Sequence, residues 1–251
     1  MAITILKKEE QVKGAFDGGK ILENKPIAFP QEDGKLTGYS NLFYWANAWS
    51  DNGGLIAEHP HRFFEIMSFV LEGGIEHYDN KNKKWISLNK GDVQIIRAGK
   101  GITHAEKILP GGRMFQIWFD PDINKTFLKE ATYNDYHASQ FIKKPVGKGI
   151  HFINYAGVDA PIEMDAERVE IFKLIMEENL EYELKDIEND YLSIYCLKGS
   201  CKINNKLINT DDFVKIVDEN KILIQTLSPT EIFIIKNPKK LTYSAYLEMS
   251  F

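Results

Sequence analysis

Ser68-Phe-Val-Leu-Glu-Gly73 returns later in the chain as Ser193-Ile-Tyr-Cys-Leu-Lys-Gly199. Each copy is an apolar run closed by a leucine, a charged residue and a glycine, the pattern of a buried strand that ends in a tight turn. The copies also have matching sequels. After Gly73 a hairpin leads into Lys90-Gly-Asp-Val-Gln-Ile-Ile96, and after Gly199 a shorter loop leads into Thr210-Asp-Asp-Phe-Val-Lys-Ile216. A duplicated β-unit predicts two tandem antiparallel barrels or sandwiches, with sheets rolled up so that few edges stay exposed.

Working outward, the same texture fills most of the chain. Candidate strands rich in Ile, Val, Phe and Tyr cover 63–71, 74–78, 92–97, 113–119, 169–176, 191–197, 213–217, 222–226 and 231–237. Helix is confined to a turn or two around 124–130, so the expected fold class is all-β. Between Asp120 and about Asp159, Pro121, Pro145, Gly147, Gly149 and Gly157 punctuate polar sequence and the strand periodicity lapses. The expected domain boundary therefore falls near Phe141, with residues 1–140 in one domain and 141–251 in the other. The tail from Leu241 to Phe251 carries Tyr243, Tyr246, Leu247, Met249 and Phe251, enough apolar surface to pack on one of the domains.

With 251 residues, 43% of them hydrophobic and 12% aromatic, the chain can bury two cores of ordinary size. Its net charge of −5 is spread without a basic block, which argues against direct binding of nucleic acid. The opening Met-Ala-Ile-Thr-Ile-Leu is too short for a signal peptide and has its charges on the wrong side. No apolar run approaches the roughly 18 residues of a membrane span. Only Cys196 and Cys201 are present, so free thiols in a reducing cytoplasm are expected in place of a disulfide framework.

Chemistry concentrates in His59-Pro60-His61 and His104-Ala105-Glu106. Side chains alternate along a strand, so residues two apart share a face and each pair aims two donors at one point. Three imidazoles and a carboxylate suit a divalent first-row transition metal with positions left open for water, substrate or dioxygen. Glu65 also stands at strand spacing from a ligand histidine, so spacing alone leaves the carboxylate open between Glu65 and Glu106. His77 precedes the Asp79-Asn80 turn and reads as a hairpin histidine, with 80–84 as a solvated lysine-rich tip. His137 and His151 have no second donor at ligand spacing. Gly99 and Gly101 permit a tight backbone path before His104, and no helix follows them to make a phosphate loop. Alternation places Gln116 on one face with Met114 and Trp118, where it could serve as a polar group of a pocket.

Gly53, His59-x-His61, Glu65 and Gly73 resemble the first motif of the cupin superfamily. The fuller run of His59-Pro-His-Arg62, Phe64-Glu65, Leu71-Glu-Gly73, Ile75-Glu-His77, Gly91-Asp-Val-Gln94 and Ala98-Gly-Lys-Gly-Ile-Thr-His104-Ala-Glu106 resembles the pirin family of bicupins. The likeness is strong over residues 40–120 and extends to the rest by the repeat and the length. It implies one metal in the amino-terminal cupin, held by three histidines and one glutamate that fall on His59, His61, His104 and Glu106. Glu106 is thereby preferred to Glu65, which is left as an outer partner of the site or a base in the pocket. The second cupin is expected to bind no metal, in keeping with the lack of any histidine after His151. Phe63 departs from the family, which more often has glycine after the arginine.

The resemblance further implies iron(II) as the cofactor, with nickel, copper, zinc, manganese and cobalt as alternatives. The activity it points to is that of quercetin 2,3-dioxygenases. These open the heterocyclic ring of a flavonol with dioxygen and release carbon monoxide, and Glu106 or Glu65 would take the proton of the 3-hydroxyl. The alternative is a non-enzymatic regulatory protein whose iron state modulates binding to a protein partner. A third reading, an isomerase or lyase of sugar-like substrates, rests on fold analogy.

Overall fold

The computed structural model describes residues 2–245 and is almost wholly β. It separates into two compact units. The first strand, β1 (Ala2–Leu6), belongs to the second unit. The first unit holds β2 (Val12–Phe16), β3 (Ile21–Ile27), β4 (Leu42–Ser50), β5 (Gly54–His61), β6 (Glu65–Glu72), β7 (Gly74–Asp79), β8 (Trp85–Asn89), β9 (Val93–Arg97), β10 (Ile102–Ile108), β11 (Gly112–Phe119), the one-turn helix α1 (Ile123–Thr126) and β12 (Thr132–Tyr136). The second continues with β13 (Lys143–Gly147), β14 (Ile150–Ala156), β15 (Glu170–Met176), β16 (Glu181–Lys185), β17 (Asp190–Lys198), β18 (Ser200–Ile203), β19 (Lys206–Asn209), β20 (Phe213–Val217), β21 (Lys221–Thr226) and β22 (Thr230–Pro238).

Each unit pairs a seven-stranded sheet with a four-stranded one. In the first the orders are β12-β9-β6-β11-β4-β3-β2 and β5-β10-β7-β8; in the second they are β1-β20-β17-β22-β15-β14-β13 and β16-β21-β18-β19. The two halves match strand for strand. Where β12 lines the edge of β9 in the first unit, β1 lines the edge of β20 in the second. The units therefore divide at Phe141 but are not two continuous blocks, because residues 2–10 join the second unit and Tyr243 rejoins the first. Tyr243 donates from Oη to the carbonyl of Asp120 at 2.6 Å. Tyr246, Leu247, Met249 and Phe251 lie outside the described residues. The punctuated stretch after Asp120, where periodicity lapses, nonetheless contains β12, β13 and β14.

Ladder register also corrects the repeat by one residue. Val70 opposite Met114 and Cys196 opposite Ile232 sit beside equivalent bulges. Counting from them, Ser68 opposite Gln116 matches Ile194 opposite Ile234, and Ser193 is the equivalent of Met67. The shift decides what each barrel contains. In the second unit the inward positions are Ile194, Val214, Ile222, Ile224, Ile234 and their neighbours, a continuous apolar core. Each such side chain contributes about 1.5–3 kcal/mol by leaving water. Cys196 and Cys201 are buried in that core as free thiols, and burial raises the proton affinity of both. Among the described residues no helix is long and apolar enough to cross a membrane.

Candidate metal centre

The interior of the first unit is polar where the second is apolar. His59 and His61 lie on β5, which is the edge strand of its sheet. That placement admits Pro60, since a proline has no N–H to give a central ladder. On β10, His104 stands opposite His59 and Ile102 opposite His61. Directly opposed residues of an antiparallel pair share a face, so the three histidines project together. A bulge then intervenes, so that Glu106 faces Ile56. The extra residue lies in β5, so the two-residue spacing that puts His104 and Glu106 on one face of β10 is untouched. On its other side β10 runs in unbroken register with β7, placing His104 opposite Asp79 and Glu106 opposite His77.

The three imidazoles form a nearly equilateral triangle. Ring centroids are 4.7 Å apart for His59 and His61, 4.6 Å for His59 and His104, and 4.7 Å for His61 and His104. Nε2 of His59 and Nε2 of His104 are 3.1 Å apart. Two nitrogens each about 2.1 Å from one ion and at right angles around it are roughly 3.0 Å apart, so the spacing is that of neighbouring ligands. His59 Nδ1 lies 2.7 Å from the carbonyl oxygen of Ala57. A carbonyl only accepts, so Nδ1 carries the proton and Nε2 keeps its lone pair for a metal. His61 Nε2 is buried with no hydrogen-bond partner. A buried lone pair left without a donor is costly, and a cation is what it lacks.

Electrostatics agrees with this reading. Desolvation, aided by the neighbouring charge of His59, lowers the pKa of His61 to about 3. Burial and the positive fields of His61, His59 and His77 push His104 well below the ordinary imidazole range. Both rings are therefore neutral at neutral pH, as metal ligands must be. The donor set fits a divalent transition metal.

Glu106 is fully buried and crosses the barrel to the seven-stranded sheet. Its Oε1 accepts from Ser68 Oγ at 3.1 Å, and its Oε2 accepts from Gln116 Nε2. Its carboxylate groups with His104 and His77 within 4.8 Å, whereas His59, His61 and His104 form their own group at the same limit. Glu65 is not part of either. It lies one residue from Ile66, so it points to the opposite face of β6 from Ser68, with Arg97 Nε 3.6 Å from its Oε1. Glu65, expected as an outer partner or pocket base, thus lies apart from both groups.

Two further features were not anticipated. His77, read as a hairpin histidine, is wholly buried on β7, and Asp79 is buried beside it with Oδ2 3.3 Å from His77 Nε2. The signal was present, because His77 and Asp79 obey the same two-residue spacing as His59 and His61, but the adjoining turn masked it. Beside His61 stands an aromatic wall. The Trp118 ring is 5.1 Å from His61 and stacks on Phe64 at 4.9 Å, with Tyr44 at 4.6 Å and Phe29 at 5.4 Å from it. Phe63 adopts φ +77, a left-handed conformation that explains why glycine suits this position. Gly99, at φ +48, accepts from Phe63 N–H at 2.8 Å, and a Cβ on Gly99 would run into the carbonyl of Lys129.

In the second unit the same ladder positions carry no ligand chemistry. Counting from the equivalent β7–β10 and β18–β21 ladders, His104 corresponds to Ile222, Glu106 to Ile224 and His77 to Ile203, while Leu184 faces Ile222 as His59 faces His104. Among the described residues, both groups able to hold a metal lie in the first unit.

Known proteins resemble this chain. The pirin family model matches residues 41–119, the span that carries the histidine triangle and its glutamate. A pirin-like protein of Caulobacter vibrioides is 34% identical over 188 residues, covering 70% of this chain and 75% of its own length. A protein of Escherichia coli K12 named quercetin 2,3-dioxygenase is 25% identical over 214 residues, 82% of this chain and 86% of its own. Among solved structures, the bacterial pirin YhhW of E. coli in complex with nickel(II) superimposes with a TM-score of 0.79 at 22% identity, covering 95% of this chain and all of that one. Two matched barrels, a polar interior in only the first, and this likeness across most of a relative's length lead to one conclusion: the chain belongs to the pirin family.

Proposed function

We propose that the first unit is a mononuclear metal centre held by His59, His61, His104 and Glu106, and that it cleaves flavonol-like substrates with dioxygen, as the name of the E. coli relative describes for that protein. The observation that carries this reading is the triangle of three imidazoles with an orphaned lone pair on His61 Nε2. Iron(II) is the proposed ion, with nickel, copper, zinc, manganese and cobalt as competitors by affinity. When bound, such an ion supplies Lewis acidity and redox chemistry with open positions for substrate and dioxygen.

The residues of the chain do the rest. The hydrogen bond to Ala57 fixes the His59 tautomer, and Ser68 and Gln116 orient the Glu106 carboxylate. Held from both oxygens, the carboxylate is placed to take a proton from a substrate hydroxyl. Trp118 and Phe64, stacked on each other next to His61, offer a flat apolar wall that suits a planar aromatic ring and excludes water.

The test is anaerobic loading with iron(II), followed by oxygen uptake on quercetin, for the wild type and for a His59→Ala, His61→Ala double variant. Metal-dependent oxygen consumption with release of carbon monoxide is expected from the wild type alone. Wild-type protein that takes up metal yet consumes no oxygen overturns the dioxygenase reading, and equal metal content in the two proteins overturns the site.

A further inference from the structure

His77 and Asp79 are the most deeply buried titratable pair that the reading above leaves without a task. Both are fully inaccessible, and neither His77 ring nitrogen has a hydrogen-bond partner. A sealed polar side chain of this kind is costly unless something satisfies it. Asp79 is rigidly held, because its Oδ1 accepts from the backbone N–H groups of Lys81 and Asn82, each at 2.8 Å. Its free Oδ2 faces His77 Nε2 at 3.3 Å.

The register shows what this pair can act on. Between β10 and β5 the ladder is interrupted at the bulge, so β5 does not fix Glu106 relative to His104. Between β10 and β7 the ladder is continuous, with His104 paired to Asp79 and Glu106 to His77. The ring of His77 lies 5.5 Å from that of His104, outside the triangle whose sides are 4.6 to 4.7 Å. It groups with His104 and Glu106 and not with His59 or His61. A carboxylate that backs a histidine beside a metal ligand is a recurrent way of setting a ligand's angle and basicity.

We propose that His77, braced by Asp79, is a positioning residue that holds Glu106 and His104 in place for the metal without itself binding the ion. The inference rests on the metal-centre reading. His77→Phe keeps a ring of similar volume and deletes both nitrogens, while His77→Gln restores a polar group. Asp79→Asn retains an acceptor for Lys81 and Asn82 and so serves as a second variant that keeps the turn.

Each protein is titrated with cobalt(II) against a chelator, its visible spectrum is taken at saturating cobalt, and its metal-free melting temperature is measured. His77→Phe should melt at or above the wild type, bind cobalt roughly 10–100-fold more weakly and show a shifted spectrum. His77→Gln should recover most of both, and Asp79→Asn should move in the same direction as His77→Phe. Wild-type affinity and spectrum in both His77→Phe and Asp79→Asn overturn the proposal. So does pulsed electron resonance of the copper(II)-loaded His77→Phe protein that counts one imidazole fewer than the wild type, because His77 is then a ligand. A wild-type protein that takes up no cobalt overturns the metal-centre reading itself, which separates the two failures.

Discussion

At the scale of single residues, Phe63 is the clearest tension in the molecule. It follows His61 and Arg62 and holds φ +77, which crowds a bulky L-residue. The backbone has little choice, because Phe63 N–H is committed to the carbonyl of Gly99. Comparing Phe63→Gly with Phe63→Ala isolates this effect, since both lose the ring and only alanine keeps a Cβ. Phe63→Gly is expected to be the more stable by about 1 kcal/mol in urea unfolding, and equal stabilities would show that the left-handed conformation carries no cost. The histidine pairs were legible because alternation on a strand needs only two residues to read. His77 was not, since the turn after Asp79 offered a sufficient local explanation and its burial depends on β10, whose residues lie some distance along the chain.

Among the elements, the loop before β10 matters most to the site. Gly99 and Gly101 were expected to take a path open to glycine, and both have positive φ. Gly99→Ala meets two obstacles at once, the left-handed backbone and the carbonyl of Lys129. A loss of about 2 kcal/mol in unfolding free energy is expected, together with weaker metal uptake, because the same loop anchors the turn that follows His61. Unchanged uptake would mean that β5 and β10 hold the histidines without it. Strands with long apolar runs, such as β6, β17 and β22, were evident from composition. Strands β12, β13 and β14 were not, because Pro145, Gly147 and a run of polar residues conceal strands at or next to a sheet edge that draw their order from their neighbours.

Over the whole molecule, two copies of one topology have been given different interiors. Ser68 and Gln116 reach Glu106 in the first, while Ile194 and Ile234 occupy those places in the second. Ile194→Ala should therefore cost about 2–5 kcal/mol in the stability of the second unit and leave the metal content at the wild-type level. A matching loss of metal would tie the apolar core to the site. The duplication itself was readable from Gly73 and Gly199, but its register was not. Equating Ser68 with Ser193 is the natural alignment by residue type, and only the bulges on β6 and β17 reveal that an isoleucine holds the equivalent place.

The position of β1 has a consequence for how the chain reaches this state. Leu6 pairs with Phe213, and Lys7 meets Asp212 at 2.7 Å across a separation of 205 residues. On the ribosome, the first barrel has all of its strands before residue 141 is made, while β1 must wait for nearly the entire chain. Throughout that interval a short apolar strand has a free edge and no partner, and closing so long a loop is among the slowest steps open to a β-protein. The histidine triangle can thus be assembled while β1, made before any strand of the first barrel, still waits for β20.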